Sequence, residues 1–396
     1  MPVGMTEDVG EYLIYPYFSN SYLRRPCFFQ DLSQLEFADS MQRSNYIRDE
    51  LGSLVTQRKD TIMADSTVQL RIGEHVLIPI VQGGMGIGIS AHRLAGAVAR
   101  ENGFGTIASA DLRQLHPDLL AESKVDPSEE KYNRLNHLAL DREIKWALSE
   151  SEGRGLIAVN VMKAVKDHVA LVRQACESGA HAIVMGAGLP LDLPEWVKDF
   201  PKVKIMPILS EARGVGLILK RWMKKNRLPD AIVIENPQFA AGHLGATAMS
   251  EIDHPKFEFK RVLSDLFELI KQMGLERERL PIIVAGGLAD SSKVREAIED
   301  WGASGVQIGS AFAVTQEGDA DVRFKQHLLN STAEDAVEFM SVAGLPARGV
   351  RSQFLTQYLK REQRLQANAK ADPRRCVQGM NCLSVCGLNC SSHDLT

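Results

Sequence analysis

Eight short apolar runs punctuate the middle of the chain: Ile78 to Gly83, Phe104 to Ser109, Leu156 to Met162, Ala182 to Gly186, Lys204 to Ser210, Ala231 to Asn236, Pro281 to Gly287 and Gly305 to Phe312. A strand, a crossover helix and two loops occupy roughly 22 to 30 residues, so five of the seven intervals hold one βα unit each. The intervals that open at Phe104 and Ala231 are much longer and must carry insertions. Runs such as IPIVQG, LIAVNVM and AIVIEN are nearly continuous in aliphatic residues. That pattern suits parallel strands covered on both faces, whereas half-exposed strands alternate with polar residues.

The segments between the runs predict helices. Ser90 to Asn102 begins with a serine that could cap a helix and stops at Gly103, and His168 to Ser178 stops at Gly179. Phe257 to Met273 places Phe259, Val262, Leu263, Leu266 and Ile270 near helical spacing. Parallel strands alternating with helices allow an open doubly wound sheet or a closed barrel. Eight units, with glycine-rich signatures after the seventh and eighth, favour a (β/α)8 TIM barrel, which commonly binds phosphate there.

The expected organisation is an N-terminal arm over 1–66, a barrel over 67–316 with insertions near 111–152 and 246–280, and a C-terminal helical segment with a Cys-rich tail over 317–396. The arm is aromatic early, at Tyr12, Tyr15, Tyr17, Phe18, Phe28 and Phe29. Packing on the barrel and binding to a partner are both open to it.

Composition narrows the functional classes. The 396 residues can bury a large core, and 44% hydrophobic with 24% charged residues is ordinary for a globular protein. A formal net charge of -4 gives no electrostatic reason to expect nucleic-acid binding. The basic stretch from Lys360 to Arg375 reads as a solvated helix surface. No run of about 18 apolar residues is present, and the N-terminus lacks the positive start and apolar segment of a secretory signal. The expectation is a cytoplasmic protein with no membrane partner. Six cysteines in so long a chain do not make a disulfide framework. Cys376, Cys382, Cys386 and Cys390 crowd the tail without the paired spacing of ordinary zinc modules. Reduced structural cysteines, a zinc or iron-sulfur site and redox chemistry all remain open for them, so metal binding is unassigned.

In a βα barrel the reactive groups lie on loops at the C-terminal ends of the strands. The first strand ends in Gln82-Gly83-Gly84-Met85-Gly86-Ile87-Gly88, whose glycines allow a backbone to approach a flat or anionic ligand closely. A tight glycine turn is the plainer alternative. Strand seven ends in Gly286-Gly287 and strand eight in Gly309-Ser310. Small residues expose backbone amides and the serine adds a donor, so the pair forms a candidate phosphate cradle; close strand–helix packing would explain one such motif more easily than two. Beyond strand six, His243 sits among small residues, with Gly242 before it. Such neighbours leave room for a ligand beside an imidazole suited to proton transfer near neutrality, which makes His243 the candidate base. His92, near the start of the first helix, is the rival and is expected to point off the barrel. Asn160 and Ser210, at the ends of strands three and five, could hydrogen-bond a heterocycle or satisfy a loop amide.

The succession of IPIVQGGMGIGIS, Asn160, AAGHLGA, VAGGLAD and QIGSAF, with GLPARGV later, resembles the nitronate monooxygenase family, formerly 2-nitropropane dioxygenases. Flavin-dependent enoyl-[acyl carrier protein] reductases share the pattern. The resemblance spans roughly Arg71 to Phe354. It implies a TIM barrel that holds FMN non-covalently. By the family's motifs Gly83, Gly84, Met85 and Asn160 would surround the isoalloxazine, and Gly286, Gly287, Gly309 and Ser310 the phosphate. Ser210 and Gly242 join the expected cofactor contacts, and His243 matches the family's catalytic histidine. The implied reaction oxidises a nitronate, or a nitroalkane after loss of its α-proton, with dioxygen to a carbonyl compound and nitrite. Its expected partners are a small-molecule substrate and dioxygen, and the chain could be a homo-oligomer. One cradle for one terminal phosphate, with no dinucleotide fold, points to FMN over FAD. The chain departs from the family pattern at Gly84, where proline is frequent, at Ala241-Gly242, where a glycine pair is usual, and at Asn236, where glycine is common. These departures bear on the substrate. An NAD(P)H-dependent enoyl-thioester reductase and a non-catalytic barrel binding a phosphorylated ligand are the competing readings.

Overall fold

A computed structural model of the chain describes residues 68–125, 128–243, 245–246, 248–341 and 346–360. The N-terminal arm over 1–66, the four tail cysteines and the basic stretch beyond Lys360 lie outside the described residues. Eight parallel strands close into a barrel: β1 (Ile80–Gln82), β2 (Phe104–Ala108), β3 (Leu156–Met162), β4 (Ala182–Gly186), β5 (Lys204–Leu209), β6 (Ile232–Glu235), β7 (Ile282–Ala285) and β8 (Gly305–Ile308). Each pairs with the next, and β8 returns to β1 through Gln307 opposite Val81. The eight apolar runs are these strands, shortened where glycine and polar residues turn the chain out of the sheet. The eighth run divides, because Ser310–Ala313 forms a helical turn.

Helices α1 (His92–Arg100), α2 (Glu129–Glu150), α3 (His168–Glu177), α4 (Ala212–Met223), α5 (Phe259–Gln272), α6 (Ser291–Glu299) and α7 (Val322–Leu329) accompany the strands. The first long interval holds α2, preceded by a helix at Pro117–Val125, and the second holds α5. The five apolar residues marked by helical spacing in α5 are all buried. Ser90 does not cap α1. Its hydroxyl accepts the backbone N–H of Met85 at 2.8 Å, closing the 85–90 turn. The Asp319 carboxylate, which arrives from beyond β8, instead accepts the N–H groups of Ala91 at 2.8 Å, Leu94 at 3.2 Å and Arg93 at 3.2 Å. An anion at this position satisfies orphan amides and complements the helix dipole.

Alternation along the strands separates two cores. Ile107, Ile157, Val159, Ile183, Ile205, Ile232 and Ile234 face the helices. Val81, Phe104, Leu156, Ala158, Val184, Met206, Val233, Ile283 and Ala285 fill the barrel, joined by Leu70, Ile72 and Leu77 of an N-terminal hairpin. That hairpin packs its apolar side into the barrel interior, and its turn residue Glu74 accepts a hydrogen bond from Lys204, the first residue of β5, at 3.0 Å. The hairpin therefore sits at the N-terminal mouth, and the opposite mouth is where the strand ends meet.

Candidate active site

Inward parity continues to the C-terminal mouth. Asn160 follows Leu156 and Ala158, Glu235 follows Val233, and Gln307 follows Gly305, so all three lie on the barrel-facing side of their strands. Glu235, Ala285 and Gln307 stand at one level, since Ala285 pairs with Glu235 on one side and Gln307 on the other. Between these polar groups come small inward residues, Ala108, Gly186 and Ala285. The inner core is thus apolar through its middle and polar at one end, with little side-chain volume to fill that end.

The first-strand loop is built onto this layer. Gln82 is fully buried and its side-chain amide extends the β1–β2 ladder: its carbonyl accepts Thr106 N–H at 2.8 Å and its Nε2 donates to Thr106 O at 3.1 Å. Gly84 lies directly over Asn160, and a Cβ at Gly84 would overlap Asn160 Cβ and reach its Cγ at 2.9 Å. Glycine at position 84 therefore permits close approach of the loop to Asn160. A Cβ at Gly83 would meet the Gln307 side chain at 3.2 Å. Gly83, Gly84, Asn160 and Gln307 consequently form one contiguous surface across β8, β1 and β3. Asn160 Nδ2 also donates to Val184 O at 3.4 Å.

The seventh-strand glycines have a packing role. Gly286 has φ 109°, and a Cβ there would meet Asn236 O at 3.1 Å and Ala240 N at 3.4 Å. The Phe239 side chain lies 3.0 Å from the corresponding position on Gly287. Both glycines let the loop beyond β6 lie against β7. Gly309 is different: among the described residues its Cβ position meets only the Met85 side chain, at 3.5 Å to Sδ, so Met85 and Gly309 are neighbours with room between strands. Ser310 begins the helical turn after Gly309.

The loop beyond β6 carries the candidate base. Asn236 organises its first turn, with Oδ1 accepting Gln238 N–H at 2.9 Å and its carbonyl accepting Ala240 N–H at 2.9 Å. Gly242–His243 then forms a two-residue strand, in which His243 pairs with Ala347 and Gly242 with Arg348. Buried Ser210, at the end of β5, touches this loop at Gly245. His92 belongs elsewhere. Its Nδ1 lies 2.8 Å from Glu143 of α2, on the helical layer.

Four residues outside the sequence-derived set contribute, the first being Gln307, described above. Burial pushes the Glu235 carboxyl up to about 7. Its inward parity with Val233 in AIVIEN was a usable signal. Arg348 and Asp319 act across the chain on loops remote in sequence, and no local pattern announces such contacts. Among the described residues, no group of three or more His, Cys, Asp or Glu could hold a metal ion. No helix among them is long and apolar enough to cross a membrane.

Comparison with known proteins gives this geometry a lineage. A family model described as nitronate monooxygenase matches residues 72–375. A probable nitronate monooxygenase of Bacillus subtilis (strain 168) is 27% identical over 288 residues, covering 70% of this chain and 78% of that protein. One from Staphylococcus saprophyticus is 26% identical over 301 residues, covering 71% and 78%. Among solved structures, nitroalkane oxidase from Streptomyces ansochromogenes aligns over 71% of this chain and 78% of its own at 19% identity, with a TM-score of 0.52. FabK from Thermotoga maritima aligns over 74% and 76% at 21% identity, with a TM-score of 0.50. These two likenesses are of fold. The family match, which spans the whole barrel and every strand-end loop described above, makes the chain an oxidoreductase that belongs to the nitronate monooxygenase family.

Proposed function

We propose that the protein holds FMN at the C-terminal mouth of its barrel and oxidises nitronates, or nitroalkanes deprotonated by His243, with dioxygen to a carbonyl compound and nitrite. The observation that carries this reading is the polar inward layer at one mouth, overlaid by a glycine stretch that no side chain could replace at Gly84. The residues fit a flavin on that ground. Asn160 and Gln307 offer amides to a flat heterocycle, small neighbours leave it volume, and Gly309 keeps a strand end open beside Met85 for a phosphate. When bound, the flavin supplies the redox chemistry.

The chain's own groups do the rest. Gly83, Gly84, Met85, Asn160, Ser210 and Gly242 position the ring system, and Gly286, Gly287, Gly309 and Ser310 bracket the phosphate. His243 takes the α-carbon proton of a nitroalkane onto an imidazole nitrogen, and a nitronate needs no such step. The competing enoyl-thioester reduction would use NAD(P)H and release no nitrite. The test is to identify the flavin released from purified protein, then follow oxygen uptake and nitrite with a primary nitronate. Stoichiometric FMN and nitrite support the reading. NAD(P)H oxidation dependent on an enoyl thioester, without nitrite from nitronates, would replace it, and a colourless protein would remove flavin chemistry altogether.

A further inference from the structure

Arg348 is 2% exposed, and its guanidinium points into the loop that carries His243 rather than to solvent. Nη1 donates to Pro237 O at 3.2 Å and Ala240 O at 2.7 Å, the two ends of the turn organised by Asn236. Nη2 donates to Glu338, the cross-strand partner of Arg348 in the hairpin formed by Ala336–Met340 and Pro346–Val350. The same hairpin strand pairs its backbone with Gly242 and His243. Gly286 and Gly287 support the turn from the β7 side. A buried guanidinium is costly to desolvate unless fully engaged, and here Nη1 serves both turn carbonyls while Nη2 serves the Glu338 carboxylate, a division between two nitrogens that a single ammonium could not reproduce.

We infer that Arg348 is a positioning residue for the reaction: by tying both ends of the 237–240 turn to the strand paired with His243, it fixes where the His243 backbone stands relative to the barrel mouth. Apolar contacts among Phe339, Ala347 and Leu355 hold the hairpin together independently of this side chain. The inference rests on the reading of His243 as the base. Misplacement of a reacting group by about 1 Å can cost roughly 10²-fold in rate. An error in His243 placement should therefore slow a nitroalkane and spare a preformed nitronate.

The experiment uses the full-length protein with its flavin, comparing wild type with Arg348→Ala, Arg348→Lys and, as control, the exposed Arg351→Ala. Two readouts are taken: rates on a nitroalkane and its nitronate, and the ring resonances of His243 in histidine-labelled protein, assigned by their loss in His243→Asn. Arg348→Ala is expected to keep flavin, move the His243 resonances and lower kcat on the nitroalkane by about 10- to 100-fold, with a much smaller loss on the nitronate. Arg348→Lys should fall between, and Arg351→Ala should match wild type. Arg348 lines a surface groove with Glu338 and Arg351, so millimolar guanidinium can reach the truncated site and should restore part of the lost kcat. Unmoved His243 resonances, or equal slowing on both substrate forms without guanidinium rescue, would overturn the inference. If wild type proves inactive on both nitro compounds, the function proposed above fails, and the resonances alone decide the role of Arg348. Where Arg348→Ala does not fold, Arg348→Lys is judged by the same criteria.

Discussion

Glu143 grips His92 twice: its Oε2 accepts the imidazole Nδ1–H and the backbone N–H of His92, each at 2.8 Å. The carboxylate is 1% exposed, and its other oxygen lies 3.0 Å from His116 Nε2. This contact pins the start of α1, and therefore the end of the 85–90 loop, to α2.

Burial opposes the charge on Glu143, but the close approach of His116 and the hydrogen bonds from His92 prevail and bring its carboxyl down to about 2 from 4.5. Burial likewise opposes protonation of His92, and the bond and charge of Glu143, with Asp319 and Glu150, hold its pKa above 6.5. Stabilisation from Glu143 is complete above pH 4.5 and fades as the pH falls toward 2. That from His92 is complete below 6.5 and fades as the pH rises through its elevated value. The pair should stabilise most between these limits. Glu143→Gln is expected to cost about 3 kcal/mol near pH 5.5 and less near pH 9, read from denaturant melts. An identical cost at both pH values would remove His92 protonation from the account.

Glu235 has the opposite sign. Burial raises its carboxyl to about 7 from 4.5, so the folded protein retains a proton that the unfolded chain has released. Stability is full below pH 4.5 and declines as the pH climbs through about 7. A neutral amide of similar shape avoids that loss. Glu235→Gln should melt close to wild type at low pH and be more stable by about 2 kcal/mol near pH 8.5. A variant less stable than wild type at high pH would show that the charged carboxylate is well solvated or paired at the mouth.

Gly309 distinguishes a phosphate cradle from simple packing. With Met85 Sδ 3.5 Å from its Cβ position, the backbone can accept a side chain without displacing the core. Gly309→Glu should keep the near-ultraviolet dichroism of the folded barrel while losing bound flavin, because a bulky acid would meet a like-charged phosphate. Full flavin occupancy in that variant would move the phosphate away from β8.

The strands were legible because parallel strands buried on both faces leave continuous aliphatic runs, and α5 was legible from the spacing of Phe259, Val262, Leu263, Leu266 and Ile270. Ser90 misled, since a serine before a helix is a local cue, whereas the observed cap is Asp319, more than two hundred residues further on. The polar layer was partly legible. Asn160 stood out against its apolar run, but the role of Gly84 depends on a neighbour supplied by β3, and Gly286 and Gly287 accommodate a loop that the pairing of β7 with β6 brings to them. Arg348 was unreadable for the same reason, its partners Pro237 and Ala240 being remote in sequence.

His243 is the residue on which the proposed chemistry turns, and the two substrate forms isolate its role. A nitroalkane must lose an α-proton before oxidation, whereas its nitronate has already lost it. A general base contributes typically ~10²- to 10⁴-fold, so His243→Asn should slow the nitroalkane by about that factor and the nitronate far less. The amide keeps a comparable volume, and the pairing of His243 with Ala347 uses only the backbone, so flavin content and fold should persist. Rates on both forms, measured at a pH where neither converts to the other during the assay, provide the comparison. Equal slowing would assign His243 to substrate positioning or charge stabilisation. Unchanged rates on both would remove it from the site, leaving Glu235, inward-facing and titrating near neutrality, as the next group to substitute.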